Sequence, residues 1–271
     1  MILTLAQLDQ TAGDVDGNLK RAERAVADAA ERGADLVALP ELFTVGYFAF
    51  DSYAREAEGL HGPTFSRLGE LADEYNVGLL AGSHVEDLEA SADAGYDVPD
   101  DDGLANTAVF FDRSGDQAAV YRKHHLFGYE SAESRLLTPG NVLETVPFEG
   151  FEVGMTTCYD LRFPELYRSL AEAGATLVLV PSAWPYPRVE HWQTLTRARA
   201  IENLCYVASI NGAAEFDETR LLGRSTVFDP WGTPLASAGD EPTLVTAEID
   251  ADRVAEVRAE FPAWADRRDS L

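Results

Sequence analysis

Three residues in the chain combine a reactive side chain with a position where an apolar run gives way to a turn. They are Cys158 in "TTCYDLRFPELY", Glu41 in "LVALPELF" and Lys123 in "AVYRKHHLFGYE". Such strand ends are where α/β sheets expose reactive groups. A cysteine can serve as a nucleophile, but only as the thiolate, and its unperturbed pKa near ~8.5 leaves it mostly protonated at neutral pH. No base adjoins Cys158 with an obvious claim, so a catalytic Cys158 needs a base from elsewhere in the chain. Each residue also has an ordinary reading. Free cysteines are usually buried and inert, a carboxylate after a strand and a proline often sits at a helix N-terminus or a solvated turn, and most lysines lie on the surface. Composition weakens the last of these. Lys20 and Lys123 are the only lysines, the other 19 of 21 basic residues being arginine, so Lys123 stands out in a sequence that otherwise avoids its type.

The elements around these residues alternate from end to end. "ILTLAQL" (2–8) reads as a strand, and "GNLKRAERAVADAAERG" (17–33) carries Leu19, Ala22, Val26 and Ala29 at helical spacing. "DLVALP" (35–40) is a short buried strand, "TFSRLGELADEYN" (64–76) a helix and "VGLLAGS" (77–83) a strand. "NTAVFFD" (106–112) and "QAAVYR" (117–122), joined by "RSGD", predict an antiparallel hairpin that ends beside Lys123. "FEVGMTT" (151–157) is a strand leading to Cys158. "PELYRSLAEAG" (164–174) is a helix with proline in its first turn and glycine at its end. "TLVLVP" (176–181), the helix "EHWQTLTRARAIEN" (190–203), and the strands "LCYVASI" (204–210), "GRSTVFDP" (223–230) and "PTLVTAEI" (242–249) complete the pattern. No repeat or linker divides the chain, so the expectation is one mixed-sheet α/β domain over 1–271 with helices outside.

Composition bounds the function. Of 271 residues, 46% are hydrophobic, enough for a substantial core, while the formal net charge of −26 and the scarcity of lysine argue against a nucleic-acid ligand. The acidity is distributed, with one denser patch at "YDVPDDDG" (96–103), as on a solvated surface. Abundant Asp and Glu with scarce Lys resembles proteins of salt-loving organisms. Two cysteines outside any CxxC pattern fit a reducing cytoplasm. The N-terminus has no signal-peptide pattern and no apolar stretch is long enough for a membrane span. The sequence therefore predicts a soluble internal protein. "GNLKRAERAV" has no phosphate-cradling glycine loop, so no nucleotide cofactor is expected.

"LPELF", "YRKHHLF" and "CYDLRFPE", in that order, resemble the Glu, Lys and Cys motifs of the nitrilase superfamily of carbon–nitrogen hydrolases. The resemblance extends to "LTPG", "PSAWP", "RARAIEN" and "GRSTVFDPWG" and covers nearly the whole chain. It implies an α/β fold, a four-layer α-β-β-α sandwich, assembled at least as a dimer. It also implies roles. Glu41 takes the thiol proton, Cys158 attacks the amide carbon, and Lys123 with a backbone N–H, that of Tyr159, holds the oxyanion. A compact ammonium suits that place better than a planar guanidinium. Ammonia leaves and water hydrolyses the thioester, without metal or cofactor. The family's second glutamate matches Glu133 best, with Glu130 as the alternative.

The nucleophile motif narrows the branch. True nitrilases typically carry Trp-Glu after the cysteine, whereas "CYDLRFPELY" resembles the branch of ω-amidases and deaminated-glutathione amidases, and "PSAWPYPRVEHW" resembles its ω-amidase-like bacterial and archaeal members. Tyr159, Arg162 and Trp184 are the expected substrate-binding residues, with Arg162 pairing to a carboxylate at the far end of a short amide. Alternatively Arg162 merely pairs with Asp160 or Glu165. After "SIN" this chain has Gly212-Ala213-Ala214 where many relatives have a polar residue, which leaves the pocket wall open. Nitrilase or N-carbamoyl amidohydrolase activity, an ammonia-supplying glutaminase subunit, and an idle binding protein on the same scaffold are the competing readings. His124 and His125, in a strand-like stretch, should face opposite ways and not chelate a metal together. His191 and Trp192 open a helix as structural or pocket-wall residues, and Cys205 lies in a buried strand.

Overall fold

The computed structural model describes residues 1–129, 131–217 and 219–268. One sheet runs in the order Thr243–Glu248, Ile2–Gln7, Leu36–Ala38, Gly78–Leu80, Leu104–Phe111 and His84–Asp87, with Gln117–Arg122 also paired to Leu104–Phe111. The other runs Pro234–Ser237, Thr226–Phe228, Tyr206–Asn211, Leu177–Ser182, Phe151–Met155 and Thr145–Phe148. Each has a parallel centre and antiparallel edges.

The period-two alternation of strand side chains sets the layers. Leu3, Leu5, Leu36, Ala38, Ala108 and Phe110 of the first sheet share one core with Val153, Met155, Leu177, Leu179, Ala208 and Ile210 of the second. The intervening Val37, Leu79 and Val109 pack on Ala22, Val26, Phe65 and Leu68 of the helices Val15–Glu31 and Pro63–Tyr75. On the far side, Val178, Val180 and Val207 meet Tyr167, Leu170, Trp192 and Ala200 of the helices Pro164–Glu172 and Val189–Asn203. Strands buried on both faces read as continuous apolar runs, which is why "LVLV" is so plain in sequence. The result is a four-layer α-β-β-α sandwich.

Local signals set the helix ends. Asp14 caps Val15–Glu31 by accepting from Gly17 N at 3.1 Å, and Pro63 and Pro164 open their helices. The helix Pro164–Glu172 stops ahead of Gly174, at φ 105°, a conformation that glycine adopts without cost. The hairpin forms with Val109 opposite Val120. Two expectations are corrected. Cys205 lies in the turn before Tyr206–Asn211, because Leu204 at φ 47° ends the preceding helix there and the strand begins one residue later. His124 and His125 lie in a bend after Gln117–Arg122, not in a strand, so their directions follow their partners: His124 stacks on Tyr121 and His125 on Phe163. The short strands His84–Asp87, Thr145–Phe148 and Pro234–Ser237 and the helix Asp252–Glu260 carried too little periodicity to be read in advance.

Candidate active site

Both sheets deliver a residue from the C-terminal end of a strand to one place. Glu41 lies three residues past Leu36–Ala38, Lys123 directly follows Gln117–Arg122, and Cys158 lies three residues past Phe151–Met155 and opens the 3₁₀ turn Cys158–Arg162. Lys123 is held in register because Gly140 of "LTPG" donates to its carbonyl at 2.9 Å. A Cβ on Gly140 would stand 2.1 Å from the Arg122 carbonyl oxygen, so only glycine permits this approach.

The Lys123 ammonium donates to Glu41 Oε1 at 2.8 Å and to Glu133 Oε1 at 2.7 Å, all three side chains being fully buried. Asn106 Nδ2 bridges the same two oxygens at 2.9 and 3.3 Å. Ala183 N–H holds Glu41 Oε2 at 2.8 Å, while Tyr47 O–H and Phe127 N–H hold Glu133 Oε2 at 3.0 and 2.7 Å. Glu133 thus stands in the cluster; Glu130 lies outside the described residues. Asn106, Tyr47 and Ala183 were not singled out in the sequence, since an amide, a phenol and a backbone N–H carry no motif of their own.

The electrostatics follow from this packing. Burial would pull the Lys123 pKa down, but the Glu133 and Glu41 charges outweigh it and hold it well above the usual lysine value, so the side chain stays an ammonium. Burial raises Glu41, with Lys123 opposing and Glu133 adding to the rise, so it is a better base than an ordinary carboxylate. Burial and then the Glu41 charge push the Cys158 thiol well above its ordinary range, against the pull of Lys123. The resting sulfur therefore keeps its proton, so a nucleophilic role for Cys158 would call for a base to take it. Cys158 also has φ 46°, rare for a non-glycine residue, which aims this strained elbow out of the strand.

Beside the thiol is a cavity of about 200 Å³, lined by Tyr47, Phe127, Tyr159, Arg162, Trp184 and Arg188 among others. Arg162 lies 4.8 Å from the Trp184 ring centroid and 5.7 Å from that of Tyr159, and among the described residues its only side-chain hydrogen bond is with His191 Nδ1 at 3.2 Å. Arg188 lies over Phe127 at 5.6 Å. Among the described residues neither guanidinium pairs with a carboxylate. Burial, together with the like charge of Arg188, brings the Arg162 pKa below its usual value, although the Tyr159 side chain works the other way. The alternative pairing of Arg162 with Asp160 or Glu165 is absent: Asp160 is committed to Tyr121, His125 and Thr157. Arg188 was not singled out in sequence, although it lies within "PSAWPYPRVEHW". A larger cleft of about 1030 Å³ lies alongside, bounded by Asp9, Gln10, Glu215 and Arg220 and sharing Phe48 and Thr219 with the smaller one; among the described residues neither cysteine nor lysine lines it.

Two packed mixed sheets that bring a buried carboxylate, ammonium and thiol together at their strand ends describe a hydrolase acting through cysteine. The chain belongs to the carbon–nitrogen hydrolase family, whose model matches residues 2–259. It is 38% identical over 239 residues to a 2-oxoglutaramate amidase of Paenarthrobacter nicotinovorans, covering 87% of this chain and 79% of that protein. With the human omega-amidase NIT2 it shares 36% identity over 279 residues, covering 99% and 95% of the two chains. Its fold superposes with a TM-score of 0.80, at 30% identity and 97% and 98% coverage, on an amidase from Nesterenkonia sp. AN1 in which acrylamide has added to the active-site cysteine.

Proposed function

We propose that this chain is a cysteine-dependent amidase that hydrolyses the ω-amide of a small dicarboxylic acid through a thioester, releasing ammonia. Cys158 is the nucleophile and Glu41 its general base. As sulfur attacks the amide carbon, its proton passes to Glu41, and the oxyanion is met by the Lys123 ammonium and a backbone N–H at the elbow, that of Tyr159. Glu41 returns the proton to the departing nitrogen, then accepts one from the water that opens the thioester. Glu133 and Asn106 hold Lys123 and Glu41 in place. No step needs a metal or cofactor.

The observation that carries the substrate is the cavity beside Cys158: about 200 Å³, with Arg162 and Arg188 on its wall and no carboxylate against either among the described residues. It is smaller than the roughly 300–1,000 Å³ of drug-sized sites. Two like charges in a half-buried pocket are costly until an anion sits between them, so a short acyl chain ending in a carboxylate fits. The same pair disfavours glutamine, whose far end also carries an ammonium, and so speaks against the glutaminase reading. The names of the relatives agree with the ω-amide class. We take the whole chain as one catalytic unit working in the cytoplasm as a homodimer or larger assembly. The exposed Ile201, Trp231, Leu235 and Phe261 support the last point.

Ammonia release from ω-amides of four- and five-carbon diacids, neutral aliphatic amides, N-carbamoyl compounds and nitriles tests the reading, with Cys158→Ala and Cys205→Ala beside the wild type. The ω-amides should be preferred, Cys158→Ala should be dead and Cys205→Ala active. An active Cys158→Ala protein would sink the mechanism; a preference for neutral amides would sink the substrate.

A further inference from the structure

We infer that Asp160 is a positioning residue that ties the nucleophile elbow of one sheet to the lysine strand of the other. Its carboxylate is completely buried and accepts four hydrogen bonds. Oδ1 receives the His125 backbone N–H at 2.8 Å and His125 Nδ1 at 2.9 Å. Oδ2 receives the Tyr121 hydroxyl at 2.6 Å and the Thr157 backbone N–H at 3.0 Å. A carboxylate has about four lone-pair sites, and all are used. The donors are not scattered. Tyr121 and His125 flank Lys123 two residues before and after it, and Thr157 directly precedes Cys158.

One buried charge therefore fixes the backbone on both sides of Lys123 relative to the backbone entering Cys158. The elbow needs such a restraint, because Cys158 at φ 46° occupies a conformation that persists only where its surroundings impose it. The His125 ring, stacked on Phe163 at 3.6 Å, adds a second contact across the same gap. Asp160 makes no hydrogen bond to Glu41, Lys123, Glu133 or Cys158 among the described residues, so it acts on them through geometry. Asparagine cannot replace it, since it has one acceptor oxygen and would aim an NH₂ at groups that donate.

The inference rests on Cys158 as nucleophile, and the test reads that sulfur directly. In a Cys205→Ala background, kcat, KM, thermal midpoint and the rate of Cys158 alkylation by iodoacetamide are measured for Tyr121→Phe and Asp160→Asn. Phe151→Leu, in the core between the sheets, is the control for lost stability. Tyr121→Phe, which removes one donor, should lower kcat about tenfold and Asp160→Asn about 100-fold, the scale of a small misplacement of reacting groups. KM should stay within about twofold and alkylation should slow in parallel with kcat, whereas Phe151→Leu should lower the midpoint and leave kcat unchanged. Wild-type kcat in folded Asp160→Asn overturns the inference, as does a loss carried by KM alone or unchanged alkylation. If Asp160→Asn does not fold, Tyr121→Phe decides. Failure of the nucleophile reading shows separately, as an active Cys158→Ala protein.

Discussion

Lys123 is an ammonium buried between two carboxylates, and neither carboxylate would be tolerable at that depth without it. Lys123→Met should abolish ammonia release and also lower stability by about 3–5 kcal/mol, the usual cost of stripping the partner from a buried charge. Activity assays and urea melts read the two effects. The pH profile follows from the same cluster. On the proposed mechanism Glu41 must be ionised to take the thiol proton, and its pKa is raised from 4.5 in the free protein, so the acid limb of kcat/KM should lie above that value and activity should fall as pH drops through it. Lys123, held well above 10.5, should impose no alkaline loss below that pH. Arg162→Met should cost turnover of carboxylate-bearing amides roughly 1.5–3 kcal/mol, one charged hydrogen-bonding interaction, and neutral amides little; equal losses on both would mark the arginine as structural. Glu41, Lys123 and Cys158 were legible as candidates because each ends an apolar run. Asn106 and Arg188 were not, because their neighbours arrive from distant segments.

At the scale of the element, the strand His84–Asp87 was invisible in sequence and carries a buried titratable group. His84 is enclosed between the Thr44 hydroxyl, 2.6 Å from Nδ1, and the Glu56 carbonyl, 3.0 Å from Nε2. Burial lowers its pKa from 6.5 to about 4. Between those values the unfolded chain holds a proton that the folded one refuses, so stability is present above pH 6.5 and is lost as pH falls toward 4. The gap corresponds to roughly 3 kcal/mol. Thermal midpoints of wild type should therefore fall more steeply across that window than those of His84→Asn; parallel slopes would show that His84 is not the group responsible. A four-residue segment of mixed polarity signals no strand by itself, and only its pairing with Leu104–Phe111 makes it one.

For the whole molecule, charge is the dominant feature. A formal charge of −26 on 271 residues repels itself, and only 21 basic residues stand against 47 acidic ones. Screening lengths shrink from ~10 Å at 0.1 M salt to ~3 Å at 1 M, so the thermal midpoint should climb markedly between dilute buffer and molar KCl. A flat midpoint across that range would show that the acidity is not a salt adaptation. Among the described residues no helix is long and apolar enough to cross a membrane.

The sequence by itself made most of the strands and helices legible and marked three reactive residues as candidates, while the four-layer arrangement was implied only by the family resemblance. Alternation, proline and glycine punctuation and apolar runs are local, and physics acts on them over a few residues. Only the tertiary structure decided what those residues do to one another. Lys123 and Glu133 are ten positions apart, but Glu41 is 82 positions from Lys123 and its other oxygen is held by a backbone N–H 142 positions away. Burial, which raises the Glu41 and Cys158 pKa values, exists only once two sheets close over them. The cavity that Arg162 and Arg188 line is likewise a property of packing, since it is defined by side chains from segments that the chain order keeps apart.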